Sequence, residues 1–375
     1  MRFVDSSSSR RVPGNLSALR WILCGALLAG GAARAEDPPR EIAEGMPSDP
    51  LMLGKTPFTI QGFGDVNYMT QNPDSGHSSF VDGSFELFVS SRLSDHWTVL
   101  AELIFEPEGN QLAIDLERFQ LTYELSDAFR VAAGRVHSPI LRWTVTNHHG
   151  LFMQTPIANP IIARWEDDEG LWPLHFVGLF ASGRISGALG ASYAAGVGNG
   201  RGEIRDEVQV GFDANGSKAW VASLGLAPDA LPGFSAFASA YFDGIPAPSG
   251  EISERALTFS LSYIRGPVEL RGEWSNLHHT PKGSSTSFDT RGWYFLASYR
   301  LPAPVSRLRP YVLAEALNAA EGETYLDGVP DEKAVAVGLR YDLNRWLALK
   351  GDVRFQKVGD GPREGVVRFQ LAANF

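Results

Sequence analysis

The sequence predicts an all-β chain whose antiparallel strands close into a transmembrane barrel of about sixteen strands. Three observations carry this. Hydrophobicity alternates at period two through most of the chain from Phe58 to Phe375, and successive residues on a strand point to opposite faces. Connections alternate between tight turns and longer polar, Gly-rich stretches, as they do when the two rims of a barrel differ. Ionised residues sit in mid-strand on the polar face, among them Glu86, Glu102, Arg271, Glu273 and Arg354. A dry sandwich core could not hold these unpaired. A wet lumen can, with the apolar faces turned to lipid.

Bulk composition by itself resembles that of a soluble protein. The 375 residues are 44% hydrophobic and 20% charged, with a formal net charge of −10. No run of about 18 apolar residues occurs, which argues against a helical membrane protein. An acidic chain is a poor nucleic-acid partner. A lone cysteine, Cys24, excludes a disulfide framework, a Cys-ligated zinc site and an iron–sulfur cluster, and no cofactor is expected. The order of residues, not their content, carries the prediction.

Taken in chain order, residues 1–35 read as a cleaved secretory signal. Arg2, Arg10, Arg11 and Arg20 precede the apolar stretch Trp21–Ala29, and Ala33-Arg34-Ala35 supplies a small-x-small end. The signal holds five of the 33 basic and one of the 43 acidic residues, so the mature chain has net charge −14 and no cysteine. Residues 36–57, with Pro38, Pro39, Pro47 and Pro50, read as an irregular periplasmic lead-in. The barrel then occupies 58–375. Its strands are expected over 58–70, 83–93, 97–106, 115–125, 129–136, 174–182, 185–195, 218–227, 234–244, 255–264, 267–277, 288–301, 309–317, 332–343, 346–357 and 363–375. Fourteen and eighteen are the alternative counts, and 205–212 fits either a strand or a loop.

Three turns share nearly one wording: Leu93-Ser94-Asp95-His96-Trp97, Leu125-Ser126-Asp127-Ala128-Phe129 and Leu343-Asn344-Arg345-Trp346. Each delivers an aromatic to the next strand near where Tyr299 and Tyr341 end others, the pattern of an interfacial girdle. Asp95, Asp127 and Asn344 are therefore placed at periplasmic turns. Loops near 70–82, 107–114, 196–217, 245–254, 278–287, 318–331 and 358–362 are expected outside. On the last strand Val367, Phe369, Leu371, Ala373 and Phe375 form one apolar row, and Phe375 is expected to act as an assembly signal.

That terminal row resembles the C-terminal signature of bacterial outer-membrane barrels. The segment Gly134-Arg135-Val136-His137-Ser138-Pro139, followed by Asn147-His148-His149-Gly150 and Gln154-Thr155, is similar to a stretch in phosphate-selective porins of the O and P type. The resemblance implies a passive channel for small ions or polar solutes in the outer membrane of a Gram-negative bacterium, with lipid around it and a homotrimer as the assembly. No residue matches an anion ladder, so a phosphate preference is not carried over. In general porins the third long loop folds inward and narrows the pore. Here that loop is 137–173, and the constriction candidates on and beside it are Arg135, Arg142, Arg164, Glu166, Asp167, Asp168 and Glu169. An outward lid is the alternative.

Alternation places Glu86, Arg92, Glu102, Arg118, Glu124, Arg271, Glu273 and Arg354 among the lumen-lining residues, with both signs represented. A structural or adhesive barrel is the alternative function. An enzyme is not expected, because His77 beside Ser78 and Ser79 lacks a Gly-x-Ser-x-Gly elbow. Adjacent histidines such as His148 and His149, or His278 and His279, point to opposite faces of a strand and make poor chelates.

Overall fold

Each period-two segment pairs with its sequence neighbours, antiparallel throughout, as the tight turns between many of them require. The computed structural model describes residues 51–375 other than 54–55, 71–75, 148–149, 165–169, 206–207 and 249. The signal segment 1–35, the first part of the lead-in, His148, His149 and the acidic run Glu166–Glu169 lie outside the described residues.

The barrel strands are β1 Thr56–Met69, β2 Ser79–Arg92, β3 Trp97–Glu108, β4 Gln111–Ser126, β5 Phe129–His137, β6 His175–Ile185, β7 Ala191–Asn199 and β8 Lys218–Leu226. They continue as β9 Phe234–Ala247, β10 Gly250–Arg265, β11 Val268–Pro281, β12 Phe288–Tyr299, β13 Leu308–Asn318, β14 Glu332–Asp342, β15 Leu347–Val358 and β16 Glu364–Asn374. Closure is made by β16 on β1, from Arg368 opposite Met69 to Asn374 opposite Phe63. The sheet therefore has no free edge. The lead-in is not wholly irregular: Leu51–Leu53 form a short strand that folds back on β1, with Leu51 opposite Phe58.

Side-chain burial is inverted relative to a soluble protein. On β14, Val335, Val337, Leu339 and Tyr341 are exposed on the outer face, while Ala334, Ala336 and Arg340 are buried on the inner face. The same holds on β10, where Leu257, Phe259 and Leu261 face out and Thr258 and Ser260 face in. An apolar band of this extent is stable only against lipid.

Two connections expected to be long are tight. Strands β3 and β4 meet across Gly109 and Asn110, and β9 and β10 meet across residues 248–249. The observed strands run past the expected ends at 106, 115, 244 and 255. Above the lipid band both faces of a strand are wet, so pairing continues without the pattern. The expected strand 185–195 instead starts at Ala191, after a turn in which Gly187 and Gly190 take positive φ. Residues 205–212 contribute one isolated pair, Arg201 with Val208, among the described residues.

The chain end is built into the closure. Phe375 and Gly62 exchange two backbone hydrogen bonds of 2.9 Å, and the Phe375 ring stacks on Phe85 with centroids 5.7 Å apart. A Cβ at Gly62 would collide with that ring. Deleting Phe375 removes the last pair of the closing seam and its ring contact, so assembled barrel should fall severalfold. Heat-modifiability on gels measures it, and an unchanged assembled fraction would remove this role.

Candidate pore constriction

The connection between β5 and β6 is the longest in the chain and folds into the barrel. Its base is closed by the Ser138 N–H donating to the Leu174 carbonyl at 2.6 Å. Between these points Ile140, Leu141, Trp143, Ile161, Ile162, Leu171 and Trp172 are all buried, packed with the inward-facing Leu277, Tyr294, Leu296, Tyr311, Leu313 and Leu317 of the wall. Transfer of this surface from water drives docking. It also buries backbone, whose donors and acceptors must all be satisfied.

Charged wall residues do this. A short helix, α1 Arg142–Asn147, presents unpaired N–H groups at its first turn. Those of Arg142 and Trp143 donate to Glu273 of β11 at 2.5 and 3.1 Å. Further along, the N–H of Gly150 donates to Glu86 at 2.8 Å, and that of Ile161 to Glu315 at 2.7 Å. The Thr155 hydroxyl donates to Glu269 at 2.6 Å. Loop carbonyls take the cations. Arg340 donates to Phe152 and Gln154 at 2.5 and 2.8 Å, and Lys350 to Leu151 and to Pro156 at 3.0 Å. Gln370 donates to Ile157 at 3.2 Å, and Ser239 and Thr258 both donate to Ile140 at 2.5 and 2.6 Å. These tethers come from β2, β9, β10, β11, β13, β14, β15 and β16, so the loop crosses the lumen. Gly150 is required by its positive φ and by the Phe63 ring, which occupies the place of a Cβ.

The cations on one wall stand in register. Arg309 lies opposite Arg340, and Arg340 opposite Lys350, on three successive strands. Like charges directly opposite repel. The loop carbonyls, together with Asp342 at 2.7 Å from Arg340 and Glu269 at 3.3 Å from Arg309, offset this. Elsewhere wall charges pair with one another: Arg118 with Glu102 at 2.5 Å, Arg368 with Asp352 at 2.7 Å, and Arg354 with both Glu315 and Glu332.

Most sequence-predicted residues fall on this surface. Arg142 starts α1. Arg164 pairs with Glu332 at 2.8 Å. Arg135 lies 3.0 Å from Asp115 and 3.5 Å from Glu117. Glu117 is available because a bulge sets Leu103 opposite Leu116 and Glu102 opposite Arg118, leaving Glu117 unpaired in the ladder. Arg271 reaches Glu269 at 2.9 Å and Asn147 at 2.7 Å. Two residues lie elsewhere. Arg92 is exposed and donates to the Ser94 and Asp95 carbonyls of its own turn. Glu124 is half exposed and pairs with Arg130 at 3.0 Å. Both sit at the end of a strand, where an inward direction no longer means a place in the lumen.

The docking role of Glu315, Glu332, Lys350 and Gln370 has no local signal in the sequence. A signal for the docking wall exists. Trp293-Tyr294-Phe295-Leu296 and Tyr311-Val312-Leu313-Ala314 are apolar on both faces, as strands are when both sides are covered. Among the described residues no group of three His, Cys, Asp or Glu is arranged to hold a metal ion.

No family model matches the sequence, and no curated protein matches it. Solved structures do. The anion-selective porin from Comamonas acidovorans superposes with TM-score 0.62 at 15% identity, over 86% of this chain and 100% of that one. The outer-membrane channel DcaP of Acinetobacter baumannii gives 0.61 at 12%, over 85% and 97%. The trimer form of OmpT, an outer-membrane protein of Vibrio cholerae, gives 0.59 at 9%, over 85% and 99%. The chain has the fold of these barrels. The likeness extends over 85–86% of this chain and 97–100% of theirs, while identities this low leave the individual side chains of the constriction particular to this protein.

Proposed function

We propose that the protein is an outer-membrane channel for passive diffusion of small ions or polar solutes, without enzymatic activity. The observation that carries this reading is the inverted barrel, apolar outside and charged inside, with one long connection folded across its lumen. A sixteen-stranded barrel is wide enough to leave water beside such a loop. Arg118, Arg271, Arg309 and Arg164 keep 14–24% of their side-chain surface accessible there. The signal reading of residues 1–35 supports export in a Gram-negative cell. The rim bearing Asp95, Asp127 and Asn344 then faces the periplasm, as its short turns favour. The likeness of residues 134–155 to O and P type porins supports a porin without naming its solute.

A homotrimer is the assembly we infer. Ala181, Ala195, Ala222 and Ala240 lie opposite one another across β6, β7, β8 and β9. This small-residue row on the lipid face, flanked by Leu179, Trp220 and Phe242, lets a neighbouring barrel wall approach closely.

The test is conduction in a planar bilayer under a salt gradient. The folded protein should pass small ions. Replacing Glu166, Asp167, Asp168 and Glu169 by their amides should shift the reversal potential towards anions, because charges in confined water are weakly screened. An unchanged reversal potential with intact conductance would take the acidic run out of the path. A folded barrel without conductance would remove the channel reading and leave a structural or adhesive barrel.

A further inference from the structure

At the rim opposite Phe375, two connections, the inward loop and three strands converge on one buried histidine. His279 of β11 is 1% exposed. Its Nε2 lies 2.7 Å from Glu254 of β10, and its Nδ1 3.4 Å from Glu323 in the connection 319–331. Glu323 also accepts the N–H groups of Tyr325 and Leu326 at 2.9 and 2.6 Å, so it organises that connection. Tyr325 packs edge-on against His279, with centroids 5.8 Å apart, and donates to the Gly202 carbonyl at 3.2 Å.

Arg201, in the connection 200–217, extends the cluster. Its guanidinium is 3.4 Å from Glu254, lies over the Tyr325 ring at 5.8 Å, and donates to the Leu171 carbonyl of the inward loop. Its backbone N–H donates to Asp243 of β9 at 2.7 Å, and Asp243 also accepts the Tyr241 hydroxyl at 2.9 Å. Among the described residues these are the titratable and charged groups facing the histidine and its first partners.

The cluster lies beyond the apolar band. At this height the outer face of β11 carries Asn276 and His278, bonded to Asp289 of β12 at 2.9 and 3.0 Å, and Arg291 reaches Asn276 at 3.1 Å. The last large apolar residue on the outer face of β11 below them is Trp274.

We propose that His279 is a pH-operated latch: as an imidazolium it bridges β10 to the connection 319–331 and, through Glu254 and Arg201, holds the returning limb of the inward loop. A neutral imidazole carries one N–H and offers a lone pair at the other nitrogen. Placed between Glu254 and Glu323 it would leave one buried carboxylate facing that lone pair, an arrangement that favours release.

Burial alone would lower the pKa of His279; the hydrogen bonds and charges of Glu254 and Glu323 outweigh it and raise it to about 9. Burial raises Glu323, but His279 and the two N–H groups bring it below its ordinary value. A raised histidine stabilises fully below its unfolded pKa and loses that contribution as pH rises through the folded value. A depressed carboxylate does so above its unfolded pKa and loses it as pH falls. The latch is therefore closed across the neutral range and opens on the alkaline side, near 9, through His279.

The latch is independent of the channel reading, and its test needs no conductance. Hydrogen exchange of the full-length protein in detergent, corrected for intrinsic rates, is followed from about pH 6 to about pH 10. Peptides covering 319–331 and 200–205 should be protected at neutral pH and lose roughly tenfold or more of that protection through the alkaline transition. His279→Gln should leave them unprotected and flat with pH. Glu323→Gln retains the N–H acceptor but removes one carboxylate, so it should move the transition down by about one pH unit. It lies on a connection, so it keeps the proposal testable if His279→Gln does not fold. His278→Gln, on the outer face, should leave the wild-type profile unchanged. A flat wild-type profile, a Glu323→Gln midpoint that does not move, or the same shift from His278→Gln would overturn the latch.

Discussion

Replacing residues 140–172 by a short Gly/Ser turn is expected to raise single-channel conductance severalfold. This segment contributes Trp143, Ile161, Ile162, Leu171 and Trp172 to the packed interior of the barrel, and its removal exchanges that volume for water. The barrel should survive the change. His137 and His175, which flank the segment, pair directly across β5 and β6. Glu86, Glu269, Glu273, Glu315, Arg340 and Lys350 lose their loop partners but face a wide wet lumen, where hydration replaces the lost bonds and no charge is stranded. Single-channel recording and heat-modifiability together measure the outcome. A folded variant with wild-type conductance would place the conduction path away from the loop.

Replacing Arg354 by Met is expected to lower stability by about 3–5 kcal/mol, the cost of breaking a buried ion pair from one side. Arg354 is 6% exposed and bridges Glu315 and Glu332, themselves 2% and 4% exposed. Both carboxylates also hold the inward loop, Glu315 through the Ile161 N–H and Glu332 through Arg164. Their loss of a shared cation therefore weakens wall and loop together. Arg354→Lys should recover only part of the loss, because an ammonium lacks the planar fork that reaches two carboxylates at once. Denaturant unfolding in detergent followed by tryptophan fluorescence reads the difference. A loss under about 1 kcal/mol would mean that water already solvates these carboxylates.

Arg354 alternates with Val353 and Phe355, so its inward direction follows from period two alone. Its partners do not follow. Glu315 and Glu332 lie 39 and 22 residues from it in the chain, and only the pairing of β13, β14 and β15 sets the three side by side. Arg92 and Glu124 show the converse limit. Alternation gives a direction across the wall but no height along the barrel axis, and at the strand ends inward means the water at the rim.

The all-β class, the closed barrel and a count near sixteen are legible in the residue order, because the requirement that lipid meet only apolar side chains writes itself into every second residue of each strand. The same order marks 137–173 as the longest connection. The tertiary structure alone decided that this connection crosses the lumen, which wall residues hold it, and that His279 meets Glu254 and Glu323. Those contacts join residues as much as 213 positions apart, such as Ile157 and Gln370. Backbone N–H and C=O groups are the same at every position, so the carboxylates and cations that seek them carry no local pattern. Which of these groups meet is fixed only when closure of β16 on β1 brings the whole wall around the loop.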